Sequence, residues 1–139
     1  MNIRNNKSGF TLLEVIIVII IVGVLASLAL PRFFSTVEFS KSSEALSNMG
    51  VVRQALERCY LSSSGTYVGC TMANLDTDDP STAPGTRFTY SISGATATAY
   101  TIQSTRLTVD GGDGTSWIRL IQTIGGVTRT GSGKFIGIK

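Results

Sequence analysis

The sequence predicts an α+β fold in which one long N-terminal helix, half membrane-like and half amphipathic, packs on a C-terminal antiparallel sheet of four to five strands. Three observations predict it. The stretch from Ser8 to Leu30, SGFTLLEVIIVIIIVGVLASLAL, is apolar and long enough to cross a bilayer. A helical apolar spacing then continues through Ala45, Met49, Val52, Leu56 and Cys59, stepping by four and three. Beyond residue 86 the pattern changes to alternation of apolar with polar side chains, the period of a half-buried strand.

Taken in order, residues 1–9 are a short cationic leader, MNIRNNKSG, whose Arg4 and Lys7 belong on the cytoplasmic side of a membrane. Residues 10–34 are the membrane segment and residues 35–139 the soluble domain. Gly23 and Pro31 interrupt the helix; proline lacks the amide donor and crowds the preceding turn, so a kink is expected there. Leu46 and Val51 broaden the buried stripe, and Glu38–Lys41, Lys41–Glu44 and Arg53–Glu57 stand at supportive spacings of three and four. The helix, expected from about Phe10 to Leu61, stops at Ser62-Ser63-Ser64-Gly65, with Gly65 suited to the left-handed terminating position.

Residues 65–86 read as loop, closing on the turn-former cluster LDTDDPSTAPG. Phe88, Tyr90 and Ile92 alternate with Thr89, Ser91 and Ser93, a strand; Tyr100 and Ile102 mark a second within 98–103. Asp110-Gly-Gly-Asp113-Gly114 is a loop. The stretch 116–124 sets Ile118, Leu120 and Ile124 against Arg119 and Thr123. Gly125-Gly126 is a two-residue hairpin turn leading to Val-Thr-Arg-Thr, and the chain closes on Lys-Phe-Ile-Gly-Ile-Lys. The sheet's apolar face (Phe88, Tyr90, Ile92, Tyr100, Ile102, Leu120) has an obvious partner in the Met49–Leu56 stripe.

One charge, Glu14, stands inside the apolar run. A carboxylate that close to hydrocarbon costs several kcal/mol on most scales, which makes it a functional-site hypothesis by default. The cationic leader, the Gly9-Phe10 junction and an acid at the fifth place after it together resemble the class III signal of type IV pilins and pseudopilins. The resemblance is close over residues 1–35 and one of architecture beyond. It implies a cut by a prepilin peptidase between Gly9 and Phe10, methylation of the new N-terminus, and Glu14 as the fifth mature residue. It also implies that the segment between Gly23 and Pro31 can unwind in an assembled filament. A conventional secretory signal, cut after Ser27-Leu28-Ala29, has a shorter apolar core that does not open on an acid. A plain signal anchor, with Glu14 snorkelling to the headgroups, gains nothing from an acid there.

The formal net charge is +3; without Arg4 and Lys7, ten basic side chains face nine acidic ones, which is poor grounds for a nucleic-acid partner. Charge is unevenly placed. Residues 35–79 carry Lys41, Arg53 and Arg58 against six acids, whereas residues 80–139 carry Arg87, Arg106, Arg119, Arg129, Lys134 and Lys139 against two. Solvated faces, complementarity between neighbouring subunits and a basic face that meets DNA all fit this split. Cys59 and Cys70 are the only cysteines, and in a domain outside the cytoplasm they are expected to form one disulfide. Histidine is absent, which excludes a His-based triad or a His-ligated metal. The Gly126–Phe135 region fails as a phosphate loop, because Ser132 stands where lysine is required and Phe135 follows Lys134. Asp110 and Asp113, or Asp76, Asp78 and Asp79, offer carboxylates to Ca²⁺, but neither cluster has EF-hand spacing. No metal or other cofactor is expected, and no enzyme.

These readings converge on a structural subunit of a type IV pilus-like filament, polymerised through its N-terminal helix as a homopolymer or mixed filament. The partners that the resemblance implies are other subunits, the prepilin peptidase, a polytopic platform protein and an assembly ATPase. The implied place is the inner membrane, single-pass, then an extracellular or periplasmic filament. A pseudopilin of a type II secretion system shares every N-terminal feature. A monomeric membrane-anchored binding domain is the alternative of another class.

Overall fold

A computed structural model describes residues 9–138. Helix α1 spans Leu12–Ser62, and four strands follow: β1 Phe88–Ser93, β2 Tyr100–Arg106, β3 Trp117–Thr123 and β4 Gly126–Gly131. Short 3₁₀ turns lie at Met72–Asn74, Pro80–Thr82, Val109–Gly111 and Gly133–Phe135. The expected long helix on an antiparallel sheet is therefore present. The leader residues Arg4 and Lys7 lie outside the described residues.

The chain divides into two units, Met1–Thr36 and Val37–Lys139. In the first, the helix starts at Leu12 and leaves its apolar side chains exposed on every side. An all-round apolar helix of this length has the composition of a membrane span or a filament core. The helical assignment is continuous through Gly23 and Pro31. A Cβ at Gly23 would meet nothing, which means no packing within the chain demands glycine there.

The second unit is built on the amphipathic part of α1. Ala45, Met49, Val52, Ala55 and Leu56 are buried and face one side of the sheet. That side comprises Phe88, Tyr90, Tyr100, Ile102, Ile118 and Leu120, with Ile92 at its margin. Leu46 packs against this core, but Val51 does not; it lies one hundred degrees round the helix from Val52 and stays 45% exposed. Of the helix pairs, Glu38–Lys41 forms, whereas Glu44 and Glu57 turn to the sheet. Glu44 binds Arg87, and Glu57 accepts from the hydroxyls of Tyr67 and Tyr100. At the helix end the left-handed position falls to Ser64 (φ 58°) as well as to Gly65 (φ 79°), and the Gly65 amide closes the last turn on the Tyr60 carbonyl.

The sheet is a meander, β1-β2-β3-β4, every pair antiparallel. Thr123 pairs with Gly126, so the hairpin turn is Ile124-Gly125, one residue earlier than expected. The closing segment is not a fifth strand. Gly133 (φ 62°) and Gly137 (φ 96°) bend it into a turn that buries Phe135 against Phe88, ring centroids 5.6 Å apart. A side chain on Gly131 would strike the Phe135 carbonyl, so glycine is what allows the fold-back.

Candidate functional site

The start of α1 carries the first candidate site. Thr11-Leu12-Leu13-Glu14 is a capping box. The Glu14 amide donates to Thr11 Oγ1 at 3.2 Å, while Glu14 Oε2 accepts from the Thr11 amide at 2.7 Å and from the Thr11 hydroxyl at 2.9 Å. Glu14 thus satisfies donors that the first helical turn leaves open. The bonds from Thr11 use Oε2, and among the described residues Oε1 takes none. Phe10 is 89% exposed beside it. The Thr-x-x-Glu spacing of residues 11–14 is the sequence signal of this cap.

Cys59 and Cys70 are joined, their Cα atoms 6.1 Å apart. The bond ties the last turns of α1 to the loop that carries Tyr67. Tyr60, Tyr67 and Tyr100 stack in sequence beside it, with centroids 4.6 and 4.7 Å apart. Burial, and then the neighbouring Glu57 carboxylate, push the Tyr67 hydroxyl up to about 12.

The loop between β2 and β3 holds the weak metal candidates, and their carboxylates are engaged by an arginine, by backbone amides and by a hydroxyl. Asp110 Oδ2 accepts from Arg87 Nε at 2.7 Å. Asp113 accepts from the amides of Thr115 and Ser116 and from the Ser116 hydroxyl. Burial pushes Asp113 up, but these bonds, with Lys134 nearby, outweigh it and hold the carboxyl at about 2. The carbonyls point at cations too: Leu107 at Arg106, Asp110 at Arg106 and Lys41, Gly111 at Lys134. Among the described residues no three carboxylate or thiol groups converge as a metal site would require.

Arg106 stands at the centre of that arrangement, its side chain wholly buried. It meets Glu38 of α1 through Nε at 3.1 Å and Nη2 at 3.3 Å, and its remaining donors reach three carbonyls. Burial pushes Glu38 up; the bonds from Arg106 and Lys41 outweigh this and hold it below the usual carboxylate range. Arg106 did not stand out in the sequence, because it follows the strand expected within 98–103, and Glu38 suggested only a helix-surface pair with Lys41. Two ion pairs, Glu38–Arg106 and Glu44–Arg87, therefore join the acidic and basic regions within the domain, and Arg87 also holds Asp110.

The prokaryotic N-terminal methylation motif matches residues 4–30, the stretch that contains Gly9, Phe10 and the capping box. The type IV major fimbrial protein FimA of Dichelobacter nodosus is 35% identical over 75 residues, 52% of this chain and 48% of that protein. Over its N-terminal half, the chain is similar to type IV pilins and pseudopilins. The type II secretion system core protein G of Aeromonas hydrophila is 41% identical over 54 residues, 39% of the chain and 38% of that protein. The type IV major pilin protein PilA of Myxococcus xanthus is 39% identical over 66 residues, 48% and 29% respectively. The chain thus spans about half, or less, of the length of the curated relatives it matches. No solved structure matches. These relatives are fimbrial and secretion proteins, and the pilus and pseudopilus branches are both represented among them.

Proposed function

We propose that the chain is a prepilin-like subunit, cut between Gly9 and Phe10, methylated at Phe10 and polymerised into a helical filament through the N-terminal part of α1. The observation that carries this is Glu14: the one charge between Leu12 and Pro31, a stretch whose apolar side chains are exposed, oriented by its own cap with one carboxylate oxygen that takes no hydrogen bond among the described residues. In lipid that oxygen has no partner. Cleavage creates an α-amino group on Phe10, and in a bundle of identical helices a neighbour's amine can reach the free oxygen. An unpaired buried charge costs several kcal/mol, so such a pair disfavours any register that separates its members. Contacts of one surface against a different one, repeated without closure, generate a filament. The prepilin peptidase, a platform protein, an assembly ATPase and the inner membrane complete the reading.

Glu14→Gln tests it. Glutamine keeps the capping box but not the charge. The variant is expected to accumulate in the membrane fraction at wild-type level while its sheared-filament yield falls at least tenfold. Intact mass of the exported wild type should match a chain that starts at a methylated Phe10. A start at Leu30, or filaments at wild-type yield from Glu14→Gln, would overturn the proposal. A pseudopilin of a type II secretion system is favoured by the match to core protein G, and the place of the gene among secretion or retraction genes decides between the two.

A further inference from the structure

One face of the sheet packs on α1; the other carries an ordered polar array that the filament reading does not use. Strand register brings Ser91, Gln103, Arg119 and Thr130 into one row across all four strands, and Thr89, Thr105 and Trp117 into the row beside it. Each alternates with a residue of the opposite face, Phe88 and Tyr90 on β1 and Ile118 and Leu120 on β3 being buried, so both rows lie on the uncovered side.

The centre of the array is held in place. The Arg119 guanidinium lies 4.1 Å over the indole of Trp117, the single tryptophan. Its Nε donates to Gln103 Oε1 at 2.6 Å, and Gln103 Nε2 donates in turn to Thr105 Oγ1 at 3.0 Å. Among the described residues the two terminal nitrogens of Arg119 have no hydrogen-bond partner. They form a fork whose geometry suits a carboxylate. Arg119 is the only charge in the two rows, and Arg129, opposite Leu120, belongs to the other face. An aromatic ring, one fork and flanking hydroxyls, without an acid, complement a ligand that carries hydroxyls and widely spaced carboxylates.

We propose that this face binds an acidic polysaccharide across the strands, a pyranose ring resting against Trp117 and a uronate carboxylate on Arg119. Neighbouring strands lie about 4.8 Å apart, close to the length of one sugar unit, so successive units meet successive polar side chains of a row. A nucleic acid brings a phosphate at every unit and needs several cations to match, which this face lacks. The inference goes beyond the filament reading and does not depend on it; a filament would only multiply weak sites.

The test is affinity electrophoresis of the detergent-solubilised full chain through gels that contain hyaluronate, whose uronates alternate with uncharged sugar units, dextran or a single-stranded DNA oligonucleotide. Retardation by hyaluronate alone is expected. Arg119→Gln and Trp117→Ala should each raise the dissociation constant at least tenfold, with Trp117→Tyr within threefold of wild type and thermal melts unchanged for Arg119→Gln. No retardation of the wild type, equal retardation by dextran or by DNA, or full binding by Arg119→Gln would overturn the proposal.

Discussion

Replacing Arg106 by methionine isolates the buried ion pair that joins α1 to the sheet. Methionine fills comparable length without charge, and it leaves the Glu38 carboxylate, 7% exposed, with Lys41 as its one remaining cation among the described residues. Removing one partner of a buried pair costs about 3–5 kcal/mol. Lys41 keeps its bond to Glu38 Oε1, which places the expected loss near the low end, about 3 kcal/mol. At roughly 4–8 °C per kcal/mol for a domain of this size, the melting temperature at pH 7 should fall by about 12–24 °C. Replacing Glu38 as well, by methionine, should recover much of the loss, because no uncompensated charge remains. The pH dependence has a definite sign. In the wild type Glu38 is held below its ordinary value, so its contribution is present above the unfolded carboxyl range and disappears as pH falls through the folded value. In Arg106→Met desolvation prevails, and the penalty shrinks on acidification from pH 7 to 5 as Glu38 takes up a proton. Near-UV circular-dichroism melts of the full chain in detergent measure both effects. A variant that melts within 3 °C of wild type, or whose deficit grows on acidification, would refute the assignment.

Three further outcomes can be read from the same melts. Replacing both cysteines by serine should destabilise the domain by somewhat under ~3 kcal/mol, since the bond closes a short loop of sequence separation 11; an unchanged melt would show that the cross-link is dispensable. Gly112→Ala should cost about 1–3 kcal/mol, because the new methyl group lands on the Leu107 carbonyl and the Arg106 guanidinium, and a neutral effect would mean that the loop can move aside. The Asp113 carboxyl, held at about 2, contributes stability above its unfolded value that is lost as pH falls towards 2; Asp113→Asn should remove that part of the acid transition and leave the melt above pH 7 lower than wild type.

The helix stripe and the alternating strands were legible because each follows a single period, 3.6 or 2, over many residues. Met49, Val52, Leu56, Phe88, Tyr90, Tyr100 and Ile102 all lie in the core that these periods indicate. What periodicity could not show is which polar positions the loops would cover. Arg106 and Ser104 continue the inward face of β2 beyond Ile102 and are buried, Ser104 bonding the Ile118 carbonyl and Arg106 the Leu107 and Asp110 carbonyls of the loop that follows. The C-terminal segment misled for the opposite reason. Phe135 and Ile138 are buried as an apolar pattern suggests, but glycines at 133 and 137 turn the backbone instead of extending it. At the candidate site the acid at Glu14 was evident from its isolation, while its cap with Thr11 needed the helix start to be fixed within one residue.

The two units differ in how their charges are satisfied, and that difference locates the electrostatics of assembly. In the sequence the acidic 35–79 region and the basic 80–139 region suggest opposite surfaces that attract between subunits. In the fold, Glu38 and Lys41 close on Arg106 and the Asp110 carbonyl, Arg87 bridges Glu44 and Asp110, and Arg58 grips Asp76 with two hydrogen bonds. Two acids of the first region, Glu38 and Glu44, are thus paired with bases of the second inside one domain. A pair already made within a subunit gains little from a second partner, and exposed pairs between subunits contribute about 0–1 kcal/mol each. Glu14 is different. Its unit offers no other acid, its neighbours are apolar, and its free oxygen has no partner among the described residues, so under the proposed function a single counter-charge from a second copy changes its energy far more than another surface pair could. On that reading the register of a filament is set where the charge is scarcest.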